Sequence, residues 1–344
     1  MVDTSPRAVA LDPQWLPHTY GPDGAQLTSV FVPRDKQQAL MFLGDDHYKG
    51  EYAKVTHPAA DIAAEAAAAT AAPLHFIFHT AFCCSTLMVK ALDVPGRSLG
   101  LKEPDVLINL ANRIARSDDA ANRQRLQLVL RLLSRPFEPA ETVIVKPTNF
   151  ANRLILPALE ALPGSRAVLL HSDLATLLRS MVKRGMWGRI WGRQLFRSAG
   201  AWSALDFGYD AGELFELTDL QVAGLAWLMQ IHHFGEAARR LGRDRVTIVD
   251  SADFTADPAS TLRDVAAFFG LGLGDTEIKA IAHGPVFSRH SKYSQVDYSV
   301  DAREAEHEAA VAAHGEEIDM VVKWVEAVAA HCRVPLSPSV PVRA

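Results

Sequence analysis

The residues of this chain whose types and spacing bear on chemistry gather in a few short segments. In the first, His79-Thr80-Ala81-Phe82-Cys83-Cys84-Ser85-Thr86 separates a continuous apolar run from a helical pattern. Backbone N–H groups in such a loop, with the Ser85 and Thr86 hydroxyls at a helix start, suit a phosphate, because a helix N-terminus carries unpaired donors and positive potential. Thr80, Cys83, Cys84, Ser85 and Thr86 are therefore the ligand-binding candidates of the loop. The same residues also suit a plain strand-to-helix connection with Ser85 as its cap. The adjacent Cys83 and Cys84 are packing residues, or redox-sensitive ones if a helix N-terminus lowers their pKa.

Lys146 follows directly on the apolar run Thr142 to Val145 and precedes Pro147, so its ammonium belongs at the carboxyl edge of a sheet. There it meets an anion or is an ordinary solvated lysine. In Val168-Leu-Leu-His171-Ser172-Asp173-Leu174, Ser172 ends a strand pattern and stands where a helix cap would. Phe287-Ser288-Arg289-His290-Ser291-Lys292-Tyr293-Ser294 is a polar, basic loop between helical regions. Met186 to Phe207 holds three tryptophans and several arginines, reads as too irregular for a clean helix, and is either a lid over a ligand or ordinary core.

These residues need a scaffold. Leu74 to Phe78, Ser98 to Leu101, Thr142 to Val145, Ala167 to Leu170 and Val246 to Val249 are short runs, most of them apolar throughout rather than alternating, as strands of a parallel sheet covered on both faces are. Between them come helical patterns at Pro104 to Arg116, Arg123 to Leu133, Asn152 to Leu162, Leu174 to Arg184, Leu220 to Leu241 and Ala259 to Phe269, with a last one at Ala302 to Ala330. Alternating strands and helices predict a three-layer, doubly wound α/β fold whose site lies beyond the carboxyl ends of the strands. That geometry selects the loops after Phe78, Val145, Leu170 and Val249. Ahead of this domain, residues 1–72 read as a small β appendage, with a strand at Leu27 to Val32 and an alanine-rich connector from Ala59 to Ala72; the main domain is 73–344.

Composition agrees with a globular chain: 344 residues, 49% hydrophobic and 22% charged. A net charge of −5 offers no broad basic field, which argues against nucleic acid as a partner. Three cysteines make neither a disulfide framework nor a zinc site. Neither a signal peptide nor an apolar run of membrane-spanning length is apparent, so a cytoplasmic protein is expected.

A resemblance enters at Val246-Thr-Ile-Val-Asp250, followed by Asp257-Pro258, a helical stretch, and Phe268-Phe269-Gly270-Leu271. The order of strand, acidic-Pro, helix and Phe-aromatic-Gly-Leu is similar to a segment late in the chain of many sulfotransferases. The resemblance runs from Leu74 onward and implies the P-loop sulfotransferase fold. It implies transfer of a sulfuryl group from 3′-phosphoadenosine-5′-phosphosulfate to a hydroxyl or amine of a small-molecule acceptor, a reaction that requires no metal. The first loop then resembles the cradle of the 5′-phosphosulfate: Ser85, Thr86 and Leu87 match its end, while Phe82 and Cys84 stand in the places of a basic residue and a glycine. The missing cation would be replaced by Lys146 or Lys102. Glu103 resembles the acidic base of some sulfotransferases, or is a helix-start glutamate before Pro104; His79 is its rival. Ser180 matches the serine of the donor's 3′-phosphate site, but Ser172 occupies the place of the arginine, so that Arg179, Lys183 or Arg184, or Arg289 and Lys292, would have to substitute. An ATP-dependent phosphotransferase lacks its Gly-x-x-x-x-Gly-Lys-Ser/Thr pattern here, and a nucleotide-binding protein without catalysis stays open.

Overall fold

The computed structural model describes residues 2–288 and 300–338. Three antiparallel strands come first: β1 (Trp15–Tyr20), β2 (Gln26–Phe31) and β3 (Lys54–Pro58), in that order across the sheet. Five parallel strands follow: β4 (Leu74–His79), β5 (Ser98–Lys102), β6 (Thr142–Lys146), β7 (Ala167–His171) and β8 (Val246–Asp250). Their order is β5-β6-β4-β7-β8, each pair parallel. The chain leaves the central strand β4 for β5 and β6 on one side and later fills β7 and β8 on the other, so the winding reverses at β4. A reversal of this kind opens a crevice at the carboxyl ends of the strands.

The pleat sorts side chains into two layers. Phe76 and Phe78 of β4, Val143 and Val145 of β6 and Leu169 of β7 enter a cluster with the helices Asp105–Arg116, Ala120–Leu133 and Ile155–Ala161. Their in-between neighbours Ile77, Ile144, Val168 and Leu170 enter a second cluster with the helices Ser85–Ala91 and Pro258–Phe269. Both faces of the sheet are therefore covered, which is why its strands read as unbroken apolar runs. Truncating a fully buried ring such as Phe76 to alanine would cost about 3–5 kcal/mol.

A third cluster caps the carboxyl end of the sheet. It joins the helices Leu174–Val182, Gly185–Gly200, Asp219–Leu241 and Val300–Cys332 through Leu177, Met181, Trp191, Leu225 and Val325. The segment expected to be irregular is thus a helix of 16 residues, Gly185–Gly200. It lies tight on its neighbours through glycines: a Cβ at Gly188 would come within 2.1 Å of the Met181 carbonyl oxygen, and one at Gly192 within 2.9 Å of the Ala223 Cβ.

Residues before β4 share the core of the parallel sheet. Val9, Trp15, Leu27 and Ile62 lie in the same buried cluster as Phe76 and Leu130. The guanidinium of Arg135 is fully enclosed and donates to the carbonyls of Val9 at 2.7 Å and Asp12 at 3.0 Å, and also to that of Trp15. The alanine-rich stretch is helical over Ala59–Ala66 and contributes buried Ile62 and Ala66 to that cluster, more than a connector would. Among the described residues no helix is long and apolar enough to cross a membrane.

Candidate active site

The loop after β4 is strained. Ala81, Phe82 and Cys84 have φ of 78°, 51° and 61°, in the left-handed region where a side chain costs about 1–2 kcal/mol per residue. Three such residues in four bend the backbone sharply, as the loops of many anion-binding sites do. Strain of this kind persists only where the surroundings over-determine it, and here they do. His79 accepts the Ala81 N–H on Nδ1 at 3.1 Å and donates from Nε2 to the Pro147 carbonyl at 3.1 Å. Thr80 N–H donates to the Leu170 carbonyl at 3.1 Å, and the Thr80 hydroxyl accepts the Ser172 N–H at 3.3 Å. The His79 carbonyl accepts from Asn152 Nδ2 at 3.0 Å, and that amide also reaches Gln230 Oε1 at 3.0 Å.

Two expectations are corrected here. His79 uses both ring nitrogens to hold the loop, one as donor to a carbonyl and one as acceptor, so it is a neutral Nε2–H ring with no lone pair left for an incoming proton. Ser85 is the first residue of its helix and Cys84 occupies the cap position, without a side-chain cap bond. Thr80, Ser85 and Thr86 are buried at the loop. Cys83 is fully buried, its thiol pushed up to about 11 by loss of water, so it is an inert packing residue; Cys84 is half-buried.

Glu103 and Lys146 meet at the ends of β5 and β6. Glu103 lies outside the helix Asp105–Arg116, with φ of 50°, and its N–H donates to the Lys146 carbonyl at 2.6 Å. That turn brings its carboxylate Oε1 onto the ammonium of Lys146. Lys146 is no solvated lysine: its side chain is 1% exposed and lies 5.2 Å over the Phe42 ring, while Glu103 keeps 19% exposure. His79 Nε2 lies 3.9 Å from the same carboxylate oxygen. Lys102, expected to answer anionic charge, is committed elsewhere. Its buried ammonium donates to the carbonyls of Gln37 at 2.6 Å and Gln38 at 2.8 Å, and burial pulls its pKa down to about 8.

At the end of β7 the cap of the helix Leu174–Val182 is Asp173, whose carboxylate accepts the Thr176 N–H at 2.8 Å. Ser172 is therefore not the cap. It is fully buried, its carbonyl accepts from Trp227 Nε1 at 3.0 Å, and its hydroxyl has no partner. Buried hydroxyls are nearly always paired, so this one is an exception, and it lies beside Thr80 on the loop. Ser180 is buried one helix turn and more beyond it. Arg179 Nε is likewise buried without a partner. Arg289 and Lys292 lie outside the described residues.

Arg184, named from the sequence as a substitute at the 3′-phosphate site, lies instead against the loop after β4, a placement that sequence reasoning missed. The guanidinium of Arg184 lies 5.3 Å over the ring of Phe82 and 5.5 Å over that of Trp187, held between two aromatic faces. Phe82 in turn meets Trp191 at 5.0 Å, and Trp191 meets Phe150 at 6.1 Å. Phe150 borders a cavity of about 580 Å³ that also takes in Glu103, Asp105 and Arg153, with Phe42 to His47 of the N-terminal segment on one side and Gln194 to Trp202 on the other. The volume suits a small molecule. No pattern in the sequence ties Arg184 to Phe82 or the N-terminal segment to this wall, because both meetings depend on tertiary packing.

No protein-family model matches this sequence, and no curated protein matches it. Solved structures similar to it are sulfotransferases. The sulfotransferase domain from the curacin biosynthetic pathway is 13% identical, with 77% of this chain and 98% of that one covered at a TM-score of 0.43. Sulfotransferase STF1 from Mycobacterium tuberculosis H37Rv is 14% identical, with 62% and 72% covered at 0.42, and a sulfotransferase from Alicyclobacillus acidocaldarius is 15% identical, with 73% and 97% covered at 0.38.

Proposed function

We propose that this protein is a sulfotransferase that takes the sulfuryl group of 3′-phosphoadenosine-5′-phosphosulfate to a hydroxyl or amine of a small molecule. The observation that carries the reading is the strained loop after the central strand, with Ala81, Phe82 and Cys84 at positive φ beside the unpartnered Ser172 hydroxyl. A sharply bent loop of this kind, with buried Thr80, Ser85 and Thr86 next to it, suits a phosphosulfate anion. Arg184, stacked on Phe82, provides the positive charge that the loop itself lacks. Ser172 and Ser180 border the same end of the sheet and would take the donor's remaining phosphate.

For an alcohol acceptor the step forms a bond from the acceptor oxygen to sulfur while the sulfur–oxygen bond to the 5′-phosphate breaks. The electron pair leaves on the phosphate oxygen, and the hydroxyl proton passes to Glu103. Lys146 holds Oε1 of that carboxylate, which leaves Oε2 to receive the proton. A buried ammonium at this position fixes the carboxylate.

The test is a transfer assay that follows sulfated product from a panel of phenols, alcohols and amines, with bisphosphate release as a second readout. Glu103→Gln should lose about 10²–10⁴-fold in turnover, the usual worth of a general base, and keep its affinity for 3′,5′-adenosine bisphosphate. A folded Glu103→Gln variant with wild-type turnover would remove Glu103 from the mechanism. No transfer to any acceptor class by a chain that does bind the bisphosphate would favour a binding protein.

A further inference from the structure

The charged groups of the cavity differ in how far they are already paired. Asp45 accepts from Lys54 and lies 3.0 Å from His18 Nε2, Asp105 accepts the Asp45 N–H at 2.9 Å, and Glu103 holds Lys146. Two of these carboxylates, Asp45 and Glu103, are thus each held by a lysine. The same cavity is lined by two guanidinium groups, those of Arg153 and Arg197. Arg153 is half-buried; its Nη2 donates to the Ile114 carbonyl at 3.0 Å, and its buried Nε has no partner. Asp118 is the acid that acts on it, and that carboxylate is gripped on both oxygens by Arg123, at 3.0 and 3.1 Å. Among the described residues neither Arg153 nor Arg197 has a carboxylate within ion-pair distance.

A guanidinium that has lost water without gaining an anion is a costly arrangement unless a ligand completes it. The remaining lining is mixed: Ile108, Ala111 and Ala115 of one helix with Phe150, Ala201 and Trp202 are apolar, and Asn112, Thr148, Gln194 and Ser198 are polar. We infer that the acceptor is a hydroxylated small molecule with an apolar body and a carboxylate, the carboxylate bound by Arg153 and Arg197 and the hydroxyl turned toward Glu103. The assignment rests on the reading of the cavity as the acceptor site. Of the four carboxylates in the cavity, Asp45 and Glu103 are each held by a lysine, which leaves Asp46 and Asp105 as the groups that would favour an amine-bearing acceptor instead.

Calorimetric titration with 3-(4-hydroxyphenyl)propionate, its methyl ester and 4-hydroxyphenethylamine separates the possibilities. The acid should bind wild type at least about ten-fold more tightly than the ester, the usual worth of one charged hydrogen bond. Arg153→Gln should erase that advantage, and Arg197→Gln, at an exposed position where folding is not at stake, should reduce it several-fold. Both variants should bind 3′,5′-adenosine bisphosphate as wild type does. Equal binding of acid and ester, preference for the amine, binding of none of the three, or an advantage intact in both variants overturns the inference. Acid-selective binding by a chain that ignores the bisphosphate would keep the carboxylate site and remove the sulfuryl donor.

Discussion

At the scale of single residues the pair Glu103–Lys146 sets both chemistry and stability. An ammonium that is 1% exposed tolerates its position only with a countercharge. Glu103→Gln should therefore lower stability by about 3 kcal/mol, while Glu103→Gln with Lys146→Met should recover most of that, since removing both charges avoids the orphan. Urea unfolding of the two variants reads the difference; equal losses would mean that the pair is not electrostatically coupled. Cys84 offers a second test. Glycine at φ 61° carries no steric cost, though it loses more chain entropy on folding, whereas a β-branched side chain is strained there. Cys84→Gly should match or exceed wild type, and Cys84→Val should fall about 1–2 kcal/mol below the glycine variant. Much at this scale was legible: Glu103 and Lys146 stand directly after apolar runs, so their place at the sheet edge follows from the strands. The roles of His79 and Ser172 were not, because each turns on which neighbour takes a hydrogen bond. Asp173 is as good a cap as Ser172, and only the fold decides between them.

At the scale of elements, the parallel strands and most helices were legible to within a residue or two, since unbroken apolar runs and 3.6-residue periodicity leave few alternatives. The helix Gly185–Gly200 was not. It holds Gly188, Gly192 and exposed Met186, Trp187 and Ile190, so its residue propensities do not mark it. Its glycines serve close packing against the helices Leu174–Val182 and Asp219–Leu241. Gly188→Ala should accordingly destabilise by about 1–2 kcal/mol despite alanine's better helix propensity, because the Met181 backbone would have to move. Thermal unfolding checks the sign: a stabilised Gly188→Ala would show that this helix is loosely held. The same helix carries the aromatic chain from Phe82 through Trp191 toward Phe150 and the cavity, so its position links the loop to the proposed acceptor.

At the scale of the whole molecule, residues before β4 read from sequence as an appendage, yet they share the main core and supply one wall of the cavity. Local patterns carry no signal for that docking, which depends on Arg135 reaching three carbonyls over a hundred residues away. Whole-molecule stability should also depend on pH through His75, at the start of β4. Its Nε2 donates to the Phe269 carbonyl at 3.1 Å, its Nδ1 accepts the Arg166 N–H at 3.0 Å, and burial brings its pKa down to about 4. Unfolded histidine titrates near 6.5. Below that value the unfolded chain takes up a proton that the folded chain refuses until about pH 4. Stability is thus full above pH 6.5 and falls through this window, by up to about 3 kcal/mol from His75. A His75→Gln variant should show a flatter decline in urea unfolding between pH 7 and 4; an unchanged slope would mean that His75 titrates alike in the folded and unfolded chain.

The central claim concerns the loop after β4 and the charge that serves it. Calorimetric titration of the wild-type chain with 3′,5′-adenosine bisphosphate, beside ATP with magnesium and beside Arg184→Ala, tests it most directly. Micromolar binding of the bisphosphate in preference to ATP, weakened about 10- to 100-fold in Arg184→Ala, is the expected result; absence of binding, or preference for ATP, would contradict the sulfotransferase reading.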